Sequence, residues 1–242
     1  MHLDSDVAGE AAPAEDVGLH PRARWPRVRA RWRRDLAALA GVLGTCGAVA
    51  AAWYRSGLVL NHTPSLPRGL YQLARLTPTA RARVARGDSV PPRMTMVAWC
   101  LPRDVSDLAR ARGYVIRGSC EGGAEPILKF TAAVPGDTVT VDGRGLSVNG
   151  RRLANSRPVS HDGRGRPVPI VPPGTYPVPS GRAWLWSPYT AHSFDSRYFG
   201  SVALAGWVGT VRPIWTGRAV LPIDGGALPA LAQHSGPSAD GS

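Results

Sequence analysis

The sequence contains almost no lysine. Of its 29 basic residues, Lys129 is the only lysine, and all the others are arginine. An arginine keeps its proton in a protein, whereas a lysine that is shielded from water can lose its proton. The neighbours of Lys129 on both sides are apolar, which is the setting that lowers the pKa of a lysine. Lys129 is therefore the one basic side chain able to act as a neutral amine.

Cysteine is also scarce, with three residues, and no pair of cysteines or histidines has the spacing of metal ligands. We therefore expect no metal and no other cofactor. Cys46 lies inside an apolar run, whereas Cys100 and Cys120 lie beyond it. If the chain after that run faces an oxidising compartment, Cys100 and Cys120 can form a disulfide, and otherwise they are two buried thiols.

The positive charge is unevenly distributed. The formal net charge of +12 would suit a nucleic-acid partner, but seven arginines crowd into residues 22–34, directly before the apolar run. No helix-turn-helix pattern or basic motif interleaved with aromatics accompanies them, so we expect no nucleic-acid partner. Arginines beside an apolar segment instead indicate which end of that segment stays in the cytoplasm.

The apolar run divides the chain into parts. Residues 36–54 form a 19-residue stretch without charge, long enough to cross a bilayer as a helix. A cleavable signal peptide is the competing interpretation, but its apolar region is usually shorter, and a buried core helix would not need the arginine flank. We predict a cytoplasmic disordered tail and basic flank at residues 1–35, a transmembrane helix at 36–54, an extracytoplasmic domain at 55–220 and a disordered tail at 221–242.

The extracytoplasmic part has the pattern of short strands between turns. Apolar strands are expected at residues 94–101 and 127–134, a hairpin at 138–148, a tight turn at Asn149-Gly150, and further strands at 183–187 and 202–215. Residues 77–87 fit a short helix or a linker. Residues 102–126 should be rich in loops with one helical turn, and residues 154–182 should be an irregular insertion. The fold class is therefore mainly β, with an antiparallel domain and one N-terminal transmembrane helix.

Ser65 lies in a stiff loop between Pro64 and Pro67, which restrict the backbone on both sides. A serine nucleophile needs a base, and Lys129 is the candidate. Taken alone, Ser65 could be a turn serine and Lys129 a lysine that protects an edge strand from aggregation.

Three segments together resemble the conjugative transfer signal peptidases of TraF type, which use a Ser-Lys dyad. They are residues 63–71 around Ser65, residues 127–137 around Lys129, and residues 193–200. The resemblance implies a signal-peptidase-like domain with Ser65 as nucleophile and Lys129 as general base. It also implies an oxyanion site made of the Ser65 N–H and the Thr63 hydroxyl, and it supports pairing of Cys100 with Cys120.

The third segment holds Asp195 and Arg197, which we interpret as an ion pair that supports the wall of the active site. A direct catalytic role for Asp195 is an equal alternative. Ser196, with Ser193, can hold the lysine amine. A Ser-His-Asp triad that uses His62, His161 or His192 is a further alternative, although His62 is too close to Ser65 in the sequence to act without a special turn.

The expected function is that of a membrane-anchored serine endopeptidase in the cytoplasmic membrane, with its N-terminus in the cytoplasm. The resemblance implies an exported, pilin-like precursor as substrate, the conjugation or secretion machinery as a partner, and the lipid bilayer close to Ser65. It leaves open whether the acyl group passes to water or to the amine of the substrate itself. A general signal peptidase, a non-catalytic envelope scaffold and a self-cleaving repressor are the rival interpretations.

Overall fold

The computed structural model describes residues 25–218, and their side chains from Arg31 onward. Contacts divide the chain into two units with the break between Ala52 and Trp53. The predicted disordered tail at 221–242, and the predicted tail before residue 25, lie outside the described residues.

Helix α1 spans Trp25–Ser56. It contains the predicted membrane span at residues 36–54 and extends further, through part of the arginine flank. Every described side chain of this helix is exposed, including leucines and valines of the apolar run. The 26 residues Arg31–Ser56 are long and apolar enough to cross a membrane.

Residues 53–218 form two antiparallel sheets, which confirms the predicted fold class. The larger sheet has seven strands and the smaller sheet has four. In the larger sheet they are β1 (Leu58–Asn61), β2 (Gly69–Arg75), β3 (Met96–Trp99), β4 (Ile127–Ala133), β9 (Arg182–Trp186), β10 (Val202–Ala203) and β11 (Trp207–Thr216), in the order β1-β2-β11-β3-β4-β9-β10. In the smaller sheet they are β5 (Thr138–Asp142), β6 (Gly145–Val148), β7 (Arg151–Arg152) and β8 (Gly174–Pro177), in the order β7-β6-β5-β8.

Helices connect these strands. Helix α2 spans Pro78–Ala85 and begins where the Thr77 side chain accepts a hydrogen bond from the Ala80 N–H, so the helical alternative for residues 77–87 holds. Helix α3, Arg103–Ala111, is longer than the single turn predicted, because its Ser106 and Ala109 are buried against the core and stabilise further turns. Helix α4 is the short Ser196–Phe199 segment, and a 3₁₀ turn covers Leu204–Gly206.

The prediction that residues 154–182 are irregular missed strand β8. This strand pairs with β5 at the edge of the smaller sheet, with Pro177 opposite Thr138. Proline cannot donate to a sheet, but an edge strand leaves one side unpaired and so accepts it. The proline-rich composition that argued against a strand is therefore compatible with an edge position.

Strand β4 lies in the middle of the larger sheet, between β3 and β9, and all seven of its residues are buried. Side chains alternate between the two faces of a strand, so Lys129 shares a face with Ile127 and Thr131. Leu128, Phe130 and Ala132 belong to one hydrophobic core cluster and Ile127 to the other. The only lysine thus lies in a central strand, and the edge-strand alternative is wrong.

Candidate active site

The loop that carries Ser65 is organised by the side chain of Asn61, the last residue of β1. Its amide nitrogen donates to the carbonyl oxygens of Thr63, Leu66 and Pro67 at 3.0, 3.0 and 3.1 Å. Its amide oxygen accepts from the N–H and the hydroxyl of Thr63. One buried amide thus fixes the backbone on both sides of Ser65. Sequence reasoning missed Asn61, although an asparagine between an apolar strand and a proline-rich loop is a turn signal.

Ser65 is buried and is held by two serines that follow it by more than 120 residues in the sequence. Ser193 donates a hydrogen bond to the Ser65 hydroxyl oxygen at 3.2 Å, and the Ser187 hydroxyl donates to the Ser65 carbonyl oxygen. The loop is therefore fixed from within by Asn61 and from outside by these hydroxyls. Ser187 was not singled out from the sequence, because nothing local distinguishes a serine that follows a strand.

Lys129 is 4% exposed. Its ammonium nitrogen donates to the carbonyl oxygen of Leu128 at 3.2 Å. Burial lowers the pKa of Lys129 from 10.5 to about 8, while the charge of Asp195 raises it and the charge of Arg197 lowers it. A substantial fraction of the amine is therefore neutral near pH 8, as a general base requires.

Ser65 and Lys129 line the same cavity, which has a volume of about 370 Å³. This volume is within the usual range of small-molecule and substrate sites. Its wall is mostly apolar and is formed by side chains such as Val59, Leu128 and Phe194. Such a wall excludes water around the two side chains, which strengthens electrostatic interactions inside the cavity.

Asp195 and Arg197 form a fully buried ion pair, with neither side chain exposed. Two guanidinium nitrogens of Arg197 contact the two carboxylate oxygens at 2.8 and 2.7 Å. The same guanidinium donates to the carbonyl oxygens of Asn155 and Ser193 at 2.9 and 3.0 Å. Because Ser193 bonds to Ser65, the ion pair holds a segment that in turn holds Ser65.

The signal peptidase model, peptidase S26, matches residues 31–216 of this chain. The chain belongs to the S26 signal peptidase family.

Several named proteins resemble this S26 chain along most of its length. The plasmid transfer protein TraF of Escherichia coli is 35% identical over 169 residues, which cover 69% of this chain and 88% of that protein. The conjugal transfer protein TraF of Agrobacterium tumefaciens (strain 15955) is 36% identical over 189 residues, covering 77% and 98%. Among solved structures, a signal peptidase I from Enterococcus faecalis V583 is 23% identical and covers 50% of this chain and 97% of that one, with a TM-score of 0.31.

The other predicted site residues of this S26 chain have defined contacts. Thr63 lines the cavity, and its hydroxyl donates to the Asn61 amide oxygen at 2.9 Å. This hydrogen bond must break before the Thr63 hydroxyl can donate to an oxyanion. The Ser196 hydroxyl oxygen accepts from the Leu185 N–H at 2.8 Å, which ties α4 to β9.

A disulfide joins Cys100 and Cys120, with their Cα atoms 5.5 Å apart. It closes the excursion between β3 and β4, which contributes Tyr114 and Val115 to the cavity wall. Within residues 25–218, no group of three or more histidine, cysteine or acidic side chains could hold a metal ion.

The histidines named for a triad have other neighbours. His62 lies 3.8 Å from Glu125, and the Nδ1 atom of His161 bonds to Ser160. His192 lines the cavity, but the described hydrogen bonds of the Ser65 side chain include only that from Ser193. Lys129 and His192 therefore both line the cavity with Ser65, and neither is among the described hydrogen-bond partners of the Ser65 side chain.

Proposed function

We propose that this protein is a membrane-anchored serine endopeptidase in which Ser65 is the nucleophile and Lys129 is the general base. The observation that carries the proposal is the placement of the only lysine. It lies buried on a central strand, has a lowered pKa, and lines one cavity with a serine in a fixed loop. Structural lysines rarely occupy such positions, since burying an ammonium group away from a counter-charge costs about 3 kcal/mol.

The proposed reaction begins when neutral Lys129 takes the proton of the Ser65 hydroxyl as its oxygen attacks the substrate carbonyl carbon. The Ser65 N–H and the Thr63 hydroxyl stabilise the oxyanion of the tetrahedral intermediate. The Lys129 ammonium then protonates the leaving amine, and the acyl group remains on Ser65 as an ester. Either water or an amine of the substrate itself, deprotonated by Lys129, releases the acyl group.

Asp195 and Arg197 act as positioning residues in this mechanism. The Arg197 guanidinium fixes the Ser193 backbone, and the Ser193 hydroxyl holds the Ser65 oxygen. The charge of Asp195 raises the Lys129 pKa and so offsets part of the effect of burial. Ser196 ties the same segment to β9, because its hydroxyl oxygen accepts a hydrogen bond from the Leu185 N–H.

The location and substrate are also proposals. Seven arginines before the apolar run support an N-terminus in the cytoplasm, and the disulfide suits an oxidising compartment on the other side. This corresponds to a cytoplasmic disordered tail and basic flank at 1–35, a transmembrane helix at 36–54, an extracytoplasmic peptidase domain at 55–220 and a disordered tail at 221–242. The TraF names of the relatives support a role in conjugation, with an exported pilin-like precursor as substrate.

The proposal is tested with a serine-directed acylating probe and mass spectrometry of a co-expressed candidate pilin. We expect wild-type protein to be labelled on Ser65 and to process the pilin, and both signals to be lost in folded Ser65→Ala and Lys129→Met proteins. Ser180→Ala, at an exposed serine, is the matched control and should behave like wild type. No labelling of folded wild-type protein would favour the scaffold alternative, and processing of many unrelated precursors would favour a general signal peptidase.

A further inference from the structure

The cavity that holds Ser65 and Lys129 is also lined by two carboxylates, Asp162 and Glu125. The carboxylate of Asp162 is fully used inside the protein. It accepts from the Tyr114 hydroxyl at 2.6 Å, from the Arg166 side chain at 2.8 Å, and from the N–H groups of Arg164 and Arg166. Asp162 therefore joins two loops of the wall and has little capacity left for a ligand.

Glu125 differs from Asp162 in its partners. Among the residues that the structure describes, the only cationic group within ion-pairing distance of Glu125 is His62, at 3.8 Å, which is charged only when it is protonated. The Glu125 side chain is 29% exposed, although it lines the cavity. Burial raises the pKa of Glu125, while His62 and a hydrogen bond from the Ile116 N–H lower it. Glu125 is thus a partly desolvated carboxylate with acceptor capacity still free.

Glu125 and His62 lie on the two chain segments that also carry Lys129 and Ser65, and all four line the cavity. Glu125 precedes β4 by two residues and Lys129 by four, and its neighbour His62 precedes Ser65 by three. The contact between Glu125 and His62 therefore joins the two segments that deliver the base and the nucleophile. A peptide that lies across Ser65 in this cavity must pass near this contact.

We propose that Glu125 is a specificity-determining residue that accepts a cationic group of the bound precursor, namely a lysine or arginine side chain or an α-ammonium group. The proposal rests on the proposed peptidase function, since it assigns a substrate contact in the same cavity. A bound peptide removes more water from Glu125, and a cationic group offsets that loss with a charge-assisted hydrogen bond. A neutral side chain at the same place leaves the carboxylate desolvated without compensation.

The positive net charge of the protein means that a preference for cationic peptides cannot arise from long-range attraction. With a formal net charge of +12, the chain does not attract cationic peptides over long distances. A preference for a cation at one peptide position must therefore come from a particular acidic group, and of the two cavity carboxylates only Glu125 is available.

The test measures binding and does not depend on catalysis. Full-length Ser65→Ala protein in detergent is titrated by calorimetry with terminally blocked alanine-rich peptides. Each peptide carries one lysine, or one norleucine of similar length, at successive positions. We expect lysine at one position to bind about tenfold more tightly than norleucine there, which corresponds to about 1.4 kcal/mol. Glu125→Gln on the same background should abolish the difference.

Glu121→Gln is the matched control, because Glu121 is exposed in the same excursion and does not line the cavity. It should keep the lysine preference. The proposal is overturned if no lysine position binds better than its norleucine counterpart, or if Glu125→Gln keeps the preference. Failure of the peptidase function would instead appear as unlabelled Ser65 in the wild-type protein, whatever the peptides do.

Discussion

Replacing Lys129 by methionine should abolish cleavage and also stabilise the folded domain. Methionine has a similar length and no charge, so it fills the same buried place on β4. Burial lowers the Lys129 pKa from 10.5 to about 8. Because each pKa unit corresponds to about 1.4 kcal/mol, charged Lys129 reduces the free energy of unfolding by about 3 kcal/mol.

This stabilisation depends on pH in a defined direction. Below about pH 8 the lysine is charged in both the folded and the unfolded state, so the folded protein bears the whole penalty. Between about pH 8 and 10.5 the unfolded chain binds more protons, and the stability of the wild type rises relative to the variant. Above the unfolded pKa both states are neutral and the difference disappears. The gain from Lys129→Met is therefore largest at neutral pH.

Urea unfolding followed by tryptophan fluorescence, to which the buried Trp99 and Trp186 contribute, measures this difference at about pH 7 and about pH 11. Comparing the variant with the wild type at each pH cancels the titration of other groups. Because the chain has one lysine, ¹³Cε-lysine labelling gives a single side-chain NMR signal that reports the pKa directly. Lys129→Arg, which stays charged, should be less stable than Lys129→Met at both pH values. The reasoning is refuted if Lys129→Met is less stable than wild type at neutral pH, or if its gain persists at high pH.

Four further outcomes are expected. Cleavage by the wild type should increase as the pH rises through about 8, and a rate that is flat there would remove Lys129 as the base. Asp195→Asn should shift that increase to lower pH and destabilise the domain by about 3–5 kcal/mol, because Arg197 loses its buried partner; an unchanged pH profile would contradict the electrostatic role. Asn61→Ala should cost about 2–4 kcal/mol in urea unfolding and lower the cleavage rate, since the Thr63 and Leu66 carbonyl groups lose their described donor while that of Pro67 keeps the Tyr71 hydroxyl; full activity would show that the loop holds without Asn61. Replacing both disulfide cysteines by serine should cost about 3 kcal/mol, and equal stability of the oxidised and double-variant proteins would oppose it.

The parts of the fold that follow local rules were predictable. Asn149 and Gly150 both have positive φ, at 50° and 79°, as the tight turn required. The strand around Lys129 was predicted at residues 127–134 and is observed at Ile127–Ala133. The length of α3 and the presence of β8 were not predictable, because they depend on packing against partners that are distant in the sequence.

The candidate site divides in the same way. Proline spacing and the single lysine identified Ser65 and Lys129 as candidates. The hydroxyl of Ser187 reaches Ser65 only after the larger sheet has formed, across 122 residues of sequence, and no local pattern marks such a contact. Glu125 was missed for the same reason, since its contact with His62 joins two segments of the folded domain.

The position of β4 has a consequence for how the protein is made. The bonds of Asn61 to the loop around Ser65 lie within the β1–β2 segment, so this part of the site can form early during synthesis. Lys129 reaches the same cavity only when its strand is paired with Val97 on one side and has the β9 strand on the other. On the proposed mechanism, a nascent or half-assembled chain would thus present the Ser65 hydroxyl without its general base. Newly exported copies therefore cannot cut neighbouring proteins until the larger sheet is complete, and the time at which proteolysis begins reports when β4 has paired with its neighbours.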